Sequence, residues 1–237
     1  MGRRDHVLTP AISVIIPTLD EAGELPAALE SCVTRNLPQE LLVVDGGSRD
    51  ATRELADLFF REHEVAASRF IDSASGRARQ MNAGAKVAHG DVLLFLHADT
   101  RLPEHGLDAI RAAIRRGAVW GRFDVQLSGA NRLYRLIEWL MNWRSRLTGV
   151  TTGDQAMFVR RDAYHIIGGF APLPLMEDID LARRLKIFGQ PESLRERVVT
   201  SSRRWEQGGI ARTLLRMWIL RFLFFVGVSP ARLWKWY

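Results

Sequence analysis

Three short aliphatic runs restrict most strongly what this chain can fold into. Each is closed by a polar, acid-bearing loop, and helix-length stretches separate them. Residues 12–16 (ISVII) form a β-branched run stopped by Pro17. Residues 41–44 (LLVV) end on Asp45-Gly46-Gly47-Ser48, and residues 91–96 (DVLLFL) end on His97-Ala98-Asp99. Runs of this length and composition predict strands buried on both faces. Helical spacing is predicted over 25–34, with Pro26 in the first turn, and over 50–60, 77–88 and 103–116. A short strand is predicted over 68–72.

Strands alternating with helices imply βαβ units and a mostly parallel sheet flanked by helices. Ligands of such sheets gather beyond the carboxyl ends of the strands. Thr18, Asp20, Glu21, Asp45, Ser48, His97 and Asp99 all fall there. The second half is less regular. It predicts strands over 121–127, 155–159 and 198–201 and helices over 131–147 and 177–188.

Composition narrows the function classes. A chain of 237 residues with 47% hydrophobic residues can bury a full core as one large domain, or one domain plus a small appendage. The formal net charge of +6 is not spread evenly. Arg203, Arg204, Arg212, Arg216, Arg221, Arg232 and Lys235 stand against Glu206 alone in the last stretch, and the rest is balanced. A charge confined to one end does not argue for nucleic acid as a partner. Neither G-x-x-x-x-G-K-[ST] nor G-x-G-x-x-G after a strand is present, so kinase and dehydrogenase readings lose their support. Cys32 is the single cysteine, and MGRRDHVLTP has no apolar core and His6 where myristoylation needs Ser or Thr. The expectation is a cytoplasmic protein.

Three constellations carry chemistry. His97 and Asp99, two residues apart after a strand, can face one ion. An all-oxygen site suits Mg2+, and a ligating imidazole shifts preference toward Mn2+. The alternative is a strand-ending Asp and a hydrogen-bonded His. Glu177, Asp178 and Asp180 open a helix, where acids are favoured by the unpaired N–H groups, and one of them can also serve as general base. Arg203, Arg204 and Trp205 precede paired glycines. Arginine can clamp a diphosphate and the indole can lie on a sugar face, or the stretch is a solvated basic face with an anchoring Trp.

ISVIIPTLDEA, LLVVDGGSRDAT, GRARQMNAGAKVAHGDVLLFLHADTRLP, GGFAPLPLMEDIDLARRLKIFG and SRRW follow one another in an order that resembles the motif series of family 2 glycosyltransferases of the GT-A fold. The resemblance runs from about residue 12 to 206. DGGS, GRARQMNAGA and LFLHAD look most like a bacterial subgroup named for arsenosugar biosynthesis, and are similar also to carotenoid-acid glycosyltransferases.

The resemblance implies a Rossmann-like GT-A domain over 1–206. It also implies a metal-dependent, inverting, hexosyltransferase-type transfer from a nucleotide-diphosphate sugar, a UDP-sugar by preference, to a hydroxyl or carboxyl acceptor. It assigns Pro17, Thr18, Asp20, Glu21 and Asp45 to the nucleoside, and Arg79 and Asn82 to the donor. Asp99 falls at the last Asp of the metal motif, with His97 in place of the first. Asp178 falls at the catalytic base with Glu177 beside it, Gly153, Asp154 and Gln155 on the acceptor side, and Arg204 and Trp205 in a diphosphate-side element. Gly46 stands where many relatives have a second Asp, which loosens base specificity. The competing class is a non-catalytic sugar-nucleotide-binding protein.

Residues 207–237 lie beyond the resemblance. Residues 209–228 are predicted as a helix apolar most of the way round, with Arg212 and Arg216 on one side and Arg221 near the other. Its longest apolar run, 217–228, is broken by Arg221 and is short of the ~20 residues that span a bilayer. With three of the seven tryptophans in this tail and Trp205 just before it, it is expected to contact an anionic membrane surface with a lipid-like acceptor, or to pack on the domain or a second copy.

Overall fold

The computed structural model describes residues 9–33, 38, 40–63, 65 and 67–236. His6, and Thr34 at the expected end of the first helix, lie outside the described residues. Eight strands make one sheet: β1 Ile12–Thr18, β2 Glu40–Asp45, β3 Ser68–Asp72, β4 Val92–Phe95, β5 Thr100–Arg101, β6 Trp120–Leu127, β7 Met157–Arg160 and β8 Glu192–Thr200, in the order β3-β2-β1-β4-β7-β6-β8-β5. The helices are α1 Leu25–Val33, α2 Thr52–Glu62, α3 Arg77–Val87, α4 Gly106–Arg115, α5 Arg132–Thr148, α6 Arg161–Ile166, α7 Glu177–Leu185, α8 Arg203–Gly208, α9 Ile210–Phe225 and α10 Pro230–Trp234.

The parallel sheet expected from the sequence is the first half only. β3, β2, β1 and β4 are parallel neighbours joined by helical crossovers. β7 then pairs antiparallel with β4 and with β6, and β5 antiparallel with β8, while β6 and β8 are parallel. The sheet is therefore mixed. Alternate side chains of β1 feed two cores. Val14 and Ile16 pack with α1, α2 and α4, and Ile15 packs with α3, α6 and α7.

The first strand does not stop at Pro17. It continues to Thr18, paired with Asp45. The ladder to β4 ends at Ile15 opposite Phe95, so the missing proline N–H falls beyond its last partner and costs no bond. β8 begins at Glu192, six residues before the strand expected at 198, because its pairing with β6 supplies order that its polar sequence does not signal.

The tail is helical, as expected, and its inner side is packed. Ile210, Leu214 and Met217 of α9 lie on a core formed by Val125, Leu127, Tyr134, Ile137, Met141 and Trp205. Leu220 and Leu233 are buried with Leu175, Met176 and Ile179, the segment that leads into α7. No helix among the described residues is long and apolar enough to cross a membrane.

Candidate active site

The loops after β1, β2 and β4 meet where the parallel strands end. Asp20 adopts a left-handed conformation (φ 54°) and ties two of these loops together. Its backbone N–H donates to Ser48 Oγ at 2.8 Å, and its Oδ1 accepts from the Arg49 N–H at 2.7 Å. Asp45 is buried, and its carboxylate accepts from the Gly47 and Ser48 N–H groups at 2.9 and 2.8 Å, from Ser48 Oγ at 2.5 Å and from Thr18 Oγ1 at 3.1 Å. Burial alone raises its pKa, but these bonds, Ser48 first, outweigh it and hold the carboxyl below its ordinary range. Asp45 thus organises its own loop.

A side chain on Gly46 would begin 3.2 Å from the Gln80 amide. That amide donates to the carbonyls of Thr18 (2.7 Å) and Val44 (2.9 Å) and joins the ends of β1 and β2.

Asp99 is partly exposed, and its Oδ1 accepts from Thr100 Oγ1 at 3.2 Å. Its charge reaches Glu21, whose pKa is raised chiefly by burial and lowered in turn by Arg203. Arg203 pairs with Glu21 at 3.2 Å. Arg203, next to the Arg204 expected from the sequence, thus also closes on this corner.

His97 is buried and lies beside Asp154. Its Nδ1 lies 3.8 Å from Asp154 Oδ1. A Cβ on Gly153 would lie 2.4 Å from Nε2, so the backbone of Gly153 covers that nitrogen. Burial, then Arg77, lower the His97 pKa against the pull of Asp154, Asp99 and Asp178. Among the described residues no group of three His, Cys, Asp or Glu is assembled as a metal cage. Asp99 fits a divalent cation that takes the rest of its shell from substrate phosphates and water. For His97, the Gly153 backbone against Nε2 leaves Nδ1, on the Asp154 side, as the nitrogen that could ligate.

The left-handed Met176 (φ 65°) turns the chain into α7, and the left-handed Ala156 (φ 45°) closes the turn 153–155. Backbone strain at such positions clusters at sites whose geometry the surrounding structure fixes. Asp178 Oδ2 accepts from the Gly153 N–H at 2.7 Å, and Oδ1 from the Ile179 N–H at 2.7 Å. Glu177 beside it is buried. Desolvation, then the Asp178 charge, push its pKa up to about 7, with Arg77 opposing.

The structure thus brings Glu177, Asp178, Gly153, Asp154 and His97 together, and Glu21 with Asp99. Two residues expected at the donor have their side chains engaged within the fold. The Asn82 amide is consumed by Phe170 O (2.8 Å), the Phe170 N–H (3.0 Å) and Tyr164 Oη (2.6 Å). Trp205 is buried in an apolar core, because its neighbours on β6, α5 and α9 offer it more burial than a sugar face could. Arg79 is exposed, and Arg77, two residues earlier, acts on His97 and Glu177.

Arg144 of α5 and Arg221 of α9 also reach this group. Both act electrostatically with Asp178 and Asp154. The sequence signal for Arg221 was its isolation opposite Arg212 and Arg216. Arg144 carried none.

Comparison with known proteins identifies the family and the fold. Residues 13–170, two-thirds of the chain, match the family described as "Glycosyl transferase family 2". A PGL/p-HBAD biosynthesis glycosyltransferase of Mycobacterium bovis is 41% identical over 96 residues, 40% of this chain and 38% of that protein. A 4,4'-diaponeurosporenoate glycosyltransferase of Staphylococcus haemolyticus is 31% identical over 126 residues, 52% of this chain and 34% of that protein. The chain therefore spans less than half the length of these relatives.

Among solved structures, a mannosyltransferase from Pyrobaculum calidifontis in complex with GDP-Man and Mn2+ superposes with a TM-score of 0.69 at 19% identity, over 92% of this chain and 63% of that one. S. aureus TarS 1-349 in complex with UDP-GlcNAc superposes with a TM-score of 0.65 at 17% identity, over 81% of this chain and 58% of that one. The fold is that of GT-A glycosyltransferases.

Proposed function

The chain belongs to glycosyl transferase family 2, and on that premise we propose that it is an inverting glycosyltransferase acting on a nucleotide-diphosphate sugar. One observation carries the reading. Asp178 is oriented by two short backbone bonds, from Gly153 and Ile179, at the edge where Asp99, Glu21 and the Asp45 loop converge. A carboxylate held in this way can take the proton of an acceptor hydroxyl. The hydroxyl oxygen bonds to the anomeric carbon as the bond to the diphosphate breaks, on the opposite face. The backbone around Thr18, Asp20 and Asp45 holds the nucleoside, and Arg203 and Arg204 lie on the diphosphate side. A divalent ion arriving with the donor would be held by Asp99 and would neutralise the leaving diphosphate.

In this reading residues 1–206 form the transferase domain and 207–237 complete its acceptor side. The outer side of α9 exposes Leu215, Trp218, Ile219, Phe222 and Phe225, and α5 exposes Leu136, Trp139 and Trp143. With Arg212 and Arg216 exposed on α9, this surface suits an anionic membrane face and a lipid-like acceptor. The undecaprenyl-phosphate 4-deoxy-4-formamido-L-arabinose transferase of Aeromonas hydrophila, 28% identical over 66% of this chain and 50% of that protein, supports such an acceptor. The DGGS and LFLHAD motifs favour the arsenosugar-type subgroup.

A thermal-shift panel of UDP-, GDP- and dTDP-sugars with Mg2+ and Mn2+, followed by donor hydrolysis, tests the reading. Stabilisation and hydrolysis by one donor support it. Stabilisation without hydrolysis under either metal favours a sugar-nucleotide binder, the reading suggested by His97 and Gly46 in place of two acidic residues.

A further inference from the structure

Two arginines from different helices lie within electrostatic reach of Asp178 and Asp154. Arg144 comes from the last turns of α5 and Arg221 from α9. Arg144 Nε and Nη2 are buried and find no hydrogen-bond partner. No ion pair within 4 Å joins either arginine to Asp178 or Asp154, although all four groups lie within electrostatic reach. Burial first, then Arg221, pull the Arg144 pKa down to about 10, and burial lowers that of Arg221.

Further buried donors are left open in the same short stretch of chain: Ser145 Oγ, Thr151 Oγ1 and Gln155 Nε2. Buried polar atoms are nearly always paired, so a cluster of unpaired ones needs an explanation. The guanidinium and amide nitrogens can only donate. A ligand that satisfies them must accept hydrogen bonds, and an oxyanion does so most strongly at a guanidinium.

We infer that Arg144 and Arg221 form an oxyanion subsite that holds a phosphoryl or carboxyl group of the acceptor beside Asp178. The inference deepens the proposed glycosyl transfer and rests on it. The anion is bound between two helices whose outer sides are apolar, at Trp139 and Trp143 on α5 and at Trp218 and Phe222 on α9. The acceptor it fits is amphiphilic, with its anionic group on the same molecule as the attacking hydroxyl. Asp178 and Asp154 repel that anion, so the arginines also set how close it approaches.

The test uses the full chain, with octyl phosphate, inorganic phosphate and octanol as probes in calorimetry. Wild type is expected to bind octyl phosphate, and Arg144→Gln and Arg221→Gln are each expected to weaken it about tenfold or more. Arg144→Lys restores part of the affinity, because it keeps the charge and loses the fork. Octanol and nucleotide-sugar binding stay unchanged.

Arg144→Gln should keep or raise Tm without ligand, since buried guanidinium N–H groups without a partner are removed. If Arg144→Gln does not fold, Arg221→Gln carries the comparison. Equal octyl phosphate affinity in wild type and variant overturns the subsite, as does a lowered Tm with unchanged affinity. Stronger binding of octyl phosphate in phosphatidylcholine vesicles than in solution identifies a lipid-borne acceptor, and equal binding a soluble one. Either supports the subsite. Donor hydrolysis in wild type with phosphate binding indifferent to both variants sinks the subsite alone. Failure of any sugar nucleotide to bind or hydrolyse sinks the glycosyltransferase reading with it.

Discussion

The Gly153 N–H donates to Asp178 Oδ2 at 2.7 Å across 25 residues of sequence, and the Cα face of the same glycine lies on the His97 ring. A side chain at 153 must displace one or the other. Gly153→Ala, whose Cβ would stand 2.3 Å from His97 Cε1, is expected to lower transfer about a hundredfold, in line with the cost of small misplacements of a catalytic group. Binding of the nucleotide sugar stays within a few-fold. Steady-state kinetics with a donor titration checks it, and a loss confined to donor affinity would contradict the positioning.

Asp178→Asn removes the proton acceptor while keeping the shape of the loop. Transfer is expected to fall by about 10²–10⁴, with donor affinity nearly intact. Equal losses in both would take Asp178 out of the role of base.

Glu177 gives a pH signature. Its pKa is raised to about 7 by burial and by Asp178, so the folded chain holds a proton there that the unfolded chain releases near its ordinary 4.5. The native state binds more protons across this window, and stability falls as pH rises from about 4.5 to about 7. Glu177→Gln is expected to flatten that part of the Tm–pH curve. A curve of unchanged slope would show that Glu177 is already ionised.

Gln80 joins β1 to β2 through the carbonyls of Thr18 and Val44. Gln80→Leu leaves both buried acceptors without this donor and is expected to cost about 1–3 kcal/mol, read by urea denaturation. Because the amide also packs beside Gly46, the donor preference of the variant should broaden in the sugar-nucleotide panel.

Trp205 separates a core role from a ligand role. Trp205→Ala is expected to cost about 3–5 kcal/mol and to leave donor affinity unchanged in the fraction that remains folded. A variant of normal stability with weakened donor binding would reverse the assignment.

The first half of the fold is legible in the chain because each parallel strand is buried on both faces and needs a continuous aliphatic run: ISVII, LLVV and VLLF declare themselves. Asp178, Gly153, His97 and Asp154 were all nameable from motifs, since site chemistry restricts residue type. β8 was half hidden, as its polar residues depend on pairing with β6 for their order.

Roles set by direction were not legible. Sequence spacing places His97 and Asp99 two residues apart and suggests a shared ion, while the fold adds Gly153 and Asp154 as neighbours of the imidazole. The tryptophan of SRRW reads as a ligand surface until Leu127, Tyr134 and Met141 are seen around it. Arg221 was only a charge interrupting an apolar run. Its place beside Arg144 exists because Leu220 and Leu233 bury against Leu175 and Ile179 and fix the rotation of α9. The sequence by itself thus determined the family, the parallel half-sheet and the residue types that line the site. The tertiary structure decided which of them face one another, because burial and hydrogen bonding orient a side chain only once its distant neighbours are in place.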